Sequence, residues 1–126
     1  MPIQMDTFSA PIRPKERGNG WDFHIYSRKE IQVQQAQELR RRIIQEFPTL
    51  RVRQFREGPF GPHSLPMFEV DVCTPLEFGA FMSWIALNRS GLSVLAHPQT
   101  GDDVEDHFTH GIWLGDKVPL VKEALE

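Results

Sequence analysis

Cysteine is almost absent from this chain of 126 residues, where Cys73 stands alone. One thiol excludes an intrachain disulfide and fits a reducing compartment. An excess of basic charge is missing too. A net charge of −3 and a pI near 5.9 supply none of the electropositive footprint that nucleic-acid binding requires. No run approaches the roughly 18 apolar residues of a membrane span. Met1-Pro2-Ile3-Gln4-Met5-Asp6 has neither the basic nor the apolar region of a secretory signal. Contiguous H-E-x-x-H and H-x-H pairs are absent, and Gly58-Pro59-Phe60-Gly61-Pro62 lacks the Gly-Lys-Ser/Thr end of a P-loop. What remains is a cytoplasmic domain with 40% apolar and 25% charged residues, ordinary values for a globular fold.

Residues 1–20 hold prolines and glycines among charges without an apolar period, and read as a leader that is draped on the surface or disordered. Residues 21–126 read as a single domain. Trp21, Phe23 and Ile25 alternate with Asp22, His24 and Tyr26, the period of a strand. Ser27-Arg28-Lys29-Glu30 has the form of a capping box, with Tyr26 and Ile31 placed for a hydrophobic staple. Ala36, Leu39, Ile43 and Phe47 form the stripe of a helix that Pro48 ends. A strand is expected over Leu50 to Phe55, a shaped loop over Glu57 to His63, and a strand over Met67 to Val72. Thr74-Pro75-Leu76-Glu77 is a second capping box, opening a helix that buries Phe78, Phe81, Met82 and Ile85. Leu92 to Ala96 and Gly111 to Leu114 complete the strands, and Leu120 to Leu125 a terminal turn. The order β-α-β-β-α-β-β predicts an α+β fold: a ferredoxin-like split βαβ sandwich, its antiparallel sheet bearing two helices on one face and an extra strand.

Chemistry then falls to the uncovered face. His24 and Glu69 project onto it from two strands, and His97 ends a third. Neutral imidazoles with one carboxylate suit non-haem Fe(II), and three imidazoles with an open position suit zinc, so the residues leave both metals open. In the acidic loop Gly101 to His107, Asp106 or a neighbour is placed to orient His107. His110 shares a face with His107 only if that segment is helical. Cys73 precedes a helix, where a thiol pKa can fall, yet it reads as a buried structural thiol. Arg51, Arg53 and Arg89 could each hold a carboxylate.

Phe23-His24-Ile25-Tyr26, Gly61-Pro62-His63, Met67-Phe68-Glu69-Val70, Leu87-Asn88-Arg89, Leu92 to Pro98, Thr100-Gly101-Asp102-Asp103, Asp106-His107 and Ile112-Trp113-Leu114-Gly115 follow one another in order. This string resembles the small aromatic ring-opening dioxygenases typified by the DOPA 4,5-dioxygenase family. The resemblance implies extradiol cleavage of a catechol such as DOPA by O2 at a non-haem Fe(II), a site that Zn could also occupy. It implies metal ligands His24, His97 and His107, with His63 as acid/base and Glu69 as an alternative carboxylate ligand. Tyr26, Arg53, Glu69 and Arg89 become candidate substrate contacts. A metal- or metabolite-binding module without activity, or a metal-free dimeric monooxygenase, are the alternatives. Met67 and Leu95 on the open face point to a homodimer.

Overall fold

The computed structural model describes residues 2–9, 12–13 and 20–126. The rest of the expected leader lies outside the described residues. Strands β1 (Trp21–Tyr26), β2 (Arg51–Val52), β3 (Met67–Val72), β4 (Ser93–Pro98) and β5 (Ile112–Leu114) form one sheet in the order β2-β3-β1-β4-β5, every neighbour antiparallel. This is the split βαβ arrangement, with β5 as the extra edge strand. Helices α1 (Glu30–Glu46) and α2 (Pro75–Asn88) cover one face. Between them and the sheet, Phe23, Ile25, Phe68, Val70, Val72 and Val94 meet Ala36, Leu39, Ile43, Phe81 and Ile85 in the main core. Each such side chain contributes roughly 1.5–3 kcal/mol by leaving water. Phe8, from the leader, packs edge-on against Phe78 and joins that core.

Four local expectations are corrected. The capping box at Ser27 does not form: α1 begins after Lys29, and the Gln32 carbonyl oxygen of the side chain accepts from the Arg28 N–H instead. The staple is missing because Tyr26 turns to the far face while Ile31 is 76% exposed. The strand expected to reach Phe55 stops at Val52. Arg53 N–H still donates to the Glu69 carbonyl and Arg56 to that of Met67, leaving Gln54 and Phe55 opposite Phe68 alone, the two-against-one count of a bulge. The turn-rich loop after Pro98 contains a short helix, α3 (Asp103–His107). The second capping box does form, with Glu77 N–H donating to Thr74 Oγ1 at 3.1 Å.

The open face is not bare. Met67 and Leu95 are buried with Tyr26 and Val118 in a second, smaller cluster, flanked by Leu65, Trp113 and Leu120. The apolar patch from which a homodimer was expected is therefore covered by the chain's own C-terminal segment.

Candidate metal centre

A central strand is flanked on both sides, and β1 is central. Register sets His24 opposite Glu69 and Leu95, and Asp22 opposite Asp71 and His97. Alternation sends Asp22, His24 and Tyr26 to the open face with Glu69 and Asp71 of β3 and His97 of β4. Two further imidazoles arrive from connections. Phe60-Gly61-Pro62-His63 is a tight turn closed by reciprocal backbone bonds of 2.9 and 3.0 Å, and Gly61 takes the positive φ of 56° that its first central position needs. A bridge to Leu120 holds His63 from the other side. His107 ends α3, whose first turn is capped by the Asp102 carboxylate on the Glu105 N–H. Gly111 follows closely, since a Cβ there would lie 2.5 Å from the His107 carbonyl oxygen.

Four imidazoles thus share one buried volume: His24, His63, His97 and His107, none more than 7% exposed. The His24 and His63 rings lie 4.0 Å apart, His97 and His107 3.9 Å, and His24 and His97 5.0 Å. Among the described residues three groups have donor atoms within 4.8 Å of one another: His24–His63–His107 and Asp22–His24–His97, which share His24, and Asp22–Glu69–Asp71. The expected ligands His24, His97 and His107 are divided between these groups, and His63 joins the first. His110 is exposed and stands outside the cluster.

Hydrogen bonds fix the imidazole tautomers. His97 Nδ1–H donates to the Pro98 carbonyl at 2.9 Å and His107 Nδ1–H to the Asp103 carbonyl at 2.7 Å, so each Nε2 presents a lone pair. His24 Nε2 lies 2.9 Å from His97 Nε2, and a proton on the former donates to the latter. His63 Nδ1 is 2.7 Å from the Tyr26 hydroxyl. Burial and the neighbouring imidazoles hold His24 well below its ordinary pKa. Burial first, then His107, brings His63 to about 4 and His97 to about 3. His24, His63 and His97 are thus neutral at pH 7, the form that ligates a metal.

Carboxyls flank it. Arg53 Nε donates to Asp71 Oδ2 at 3.1 Å and lies 3.8 Å from Glu69 Oε2. Glu69 Oε1 is 3.9 Å from His24 Nδ1. Burial, with Asp71 beside each, raises Asp22 to about 8 and Glu69 to about 10. Burial also pushes the Tyr26 hydroxyl well above its usual value. Of the expected substrate contacts, Arg53 and Glu69 line a cavity of about 250 Å³ with Arg56, Phe60 and Met67, while Tyr26 lies beneath His63. Arg89 is not brought to this site: it caps α2 and donates to the Leu92 carbonyl, at the opposite end of β4 from His97. Asp106 does not orient His107. Its two oxygens accept from Thr100 N–H and Oγ1–H, and the Asp103 backbone does the orienting. Burial and Glu77 push the Cys73 thiol up, the reverse of an activated nucleophile.

Fold and site define an α+β domain with a buried imidazole centre on the open face of its sheet. The chain belongs to the Dopa 4,5-dioxygenase family, whose model matches residues 21–124. It is 42% identical over 124 residues to an uncharacterized 21.2 kDa protein of Botryotinia fuckeliana, covering 91% of this chain and 67% of that one. It is 35% identical over 108 residues to the DOPA 4,5-dioxygenase of Amanita muscaria, covering 79% of this chain and 46% of that one. The chain therefore spans less than half the length of the Amanita protein. A crystal structure of a "putative dioxygenase" from Nostoc punctiforme superposes with a TM-score of 0.78 at 33% identity, covering 85% of this chain and 90% of that one. Family membership and these names point to an enzyme of dioxygenase type.

Sequence reasoning set Asp22 and Asp71 on the polar side of their strands but gave them no role, and it missed Gln99. Period-two patterning assigned Asp22 a face, but its meeting with His97 depends on which strands are neighbours. The cross-strand pairing of two acids was the one available signal.

Proposed function

We propose that this chain is an aromatic ring-opening dioxygenase, cleaving a catechol such as DOPA outside its two hydroxyls with O2 at a non-haem Fe(II). The observation that carries this reading is the donor set: neutral, buried imidazoles, two of them with Nδ1–H tied to backbone carbonyls so that Nε2 is free to ligate. Such residues fit a divalent first-row ion. His97 and His107, pre-set in this way, and His24, whose Nε2 faces His97, are the proposed ligands. Fe(II) in such a site supplies a Lewis acid that lowers the pKa of a phenolic hydroxyl and a centre where ring and dioxygen meet.

His63 has a different neighbour. Its Nδ1 pairs with the Tyr26 hydroxyl, which fixes the ring and shares a proton with it. His63 thereby serves as the acid/base that takes the proton from a catechol hydroxyl and returns it to the product, its ring held for that role by Tyr26. Arg53 and Glu69 border a cavity that would receive the ring's substituent. Burial excludes bulk water from the reacting groups.

The test is anaerobic Fe(II) loading of the purified chain, then a catechol panel with oxygen uptake and the yellow ring-opened product recorded together. Chelation should abolish both signals, and Fe(II) should restore them better than Zn(II). Cleavage that persists after rigorous chelation would return the metal-free monooxygenase to first place.

A further inference from the structure

Three carboxyls sit beside the imidazoles, and only two have a cation. Arg53 serves Asp71, at 3.1 Å, and Glu69, at 3.8 Å. Asp22 has no such partner among the described residues, although it is only 4% exposed. Its Oδ2 accepts one bond from the Gln99 amide at 2.5 Å, and its buried Oδ1 lies on the side of the Asp71 carboxyl, its cross-strand neighbour and hydrogen-bond partner. The same oxygen Oδ2 lies 3.9 Å from His97 Nε2, and a donor atom of Asp22 lies within 4.8 Å of those of His24 and His97. His24 and His97 present their Nε2 atoms to each other at 2.9 Å.

We infer that Asp22 is a direct ligand of the divalent metal, adding a carboxylate beside His24 and His97 to the proposed imidazole ligands His24, His97 and His107. This rests on the metal reading above and deepens it: the carboxylate ligand is Asp22, and Glu69, opposite His24, is not. Gln99 anchors Asp22 through its amide N–H and so fixes the direction of the carboxyl. For His24 to ligate through Nε2 its proton would sit on Nδ1, which is also buried without a hydrogen-bond partner and faces Glu69 Oε1 at 3.9 Å. Glu69 then accepts from the ligand's outer nitrogen, the usual task of a carboxylate behind a metal-bound imidazole.

The experiment titrates Co(II) and Fe(II) anaerobically into the full chain, reading metal per chain, affinity and the visible absorption of the Co(II) form. Asp22→Asn should weaken binding at least roughly ten- to a hundredfold and change the Co(II) spectrum, because the amide removes an anionic ligand. Asp116→Asn, whose exposed carboxylate pairs with Arg28 away from the site, should keep the spectrum and bind within about threefold. Circular dichroism checks that each variant is folded. Should Asp22→Asn fail to fold, Asp22→Glu decides: a ligand lengthened by one methylene shifts the Co(II) bands, and a bystander leaves them alone. Unchanged affinity and spectrum in Asp22→Asn, or unchanged bands in Asp22→Glu, overturn the assignment while the metal reading stands. An unaltered chain that takes up no divalent metal overturns both.

Discussion

At the scale of single residues the four imidazoles look alike and are wired differently. His97 and His107 spend Nδ1–H on backbone carbonyls, and His63 spends Nδ1 on a phenol. Replacing His24 or His97 with Ala should therefore cost iron occupancy and turnover together. His63→Ala should keep its iron while turnover falls by about 10²–10⁴, the usual worth of a general acid/base. Iron stoichiometry measured beside turnover separates the two outcomes. Iron lost from His63→Ala but kept by His107→Ala would exchange those roles. His110→Ala, on an exposed residue, should alter neither. All four buried imidazoles were legible as residues of interest, because a histidine alternating out of an apolar strand or standing in a structured loop is conspicuous. Their hydrogen bonds were not, since local backbone turns bring the Pro98 and Asp103 carbonyls to His97 and His107, while His63 meets Tyr26 and His24 meets His97 only through long-range folding.

At the scale of elements, local patterns read best where local forces decide. The stripe of α1, the cap of α2 and the alternation of β1 and β3 follow from periods of 3.6 and 2. The start of α1 did not, because the Gln32 side chain outcompetes the Ser27 hydroxyl for the first turn. The bulge after β2 was also invisible, since it exists only relative to Phe68 on the neighbouring strand. Helix α3 hid within an acidic stretch that also suits turns. Its attachment is specific: Asp106, 1% exposed, accepts two bonds from Thr100. Asp106→Ala should destabilise the fold by about 2–4 kcal/mol, the scale of two bonds to a charged group. It should also loosen His107. Denaturant melts and metal titration of this variant check both effects, and a change below about 0.5 kcal/mol, the scatter of ordinary surface substitutions, would show that the clamp carries no load.

At the scale of the whole molecule, the metal-free protein should have an unusual pH profile. His63 and His97 titrate in the fold near 4 and 3, below the 6.5 of the unfolded chain, so their contribution is complete above about 6.5 and lost as pH falls. Asp22 and Glu69 titrate near 8 and 10, above the 3.8 and 4.5 of the unfolded chain, so theirs is present at low pH and lost as pH rises. Between about 4 and 6.5 the two oppose; above that window only the carboxyls act. The metal-free Tm should decline from about pH 6.5 to 9, and Asp22→Asn should flatten the decline. A Tm that climbs over this range contradicts the buried-carboxyl account. Leu76 and Leu87, 82% and 86% exposed, lie eleven residues apart on α2 and so on one side of it. A homodimer is expected to pair there, giving twice 14.6 kDa by light scattering, with Leu87→Glu returning the mass to one chain. A single-chain mass for the unaltered protein removes the dimer.

One arrangement governs how fast the site empties. Of the four clustered imidazoles, two ride on paired central strands and one on a doubly bridged turn, whereas His107 rides on a helix of five residues. Helices so short have little stability of their own and open far more often than the sheet beneath them. Release of an ion held through His107 then waits on that opening, which sets a ceiling on its rate. Removal by a chelator should level off as chelator is added, at a first-order constant belonging to the protein, and weakening the tie between Asp106 and Thr100 should raise that plateau while leaving the sheet's own amide exchange slow.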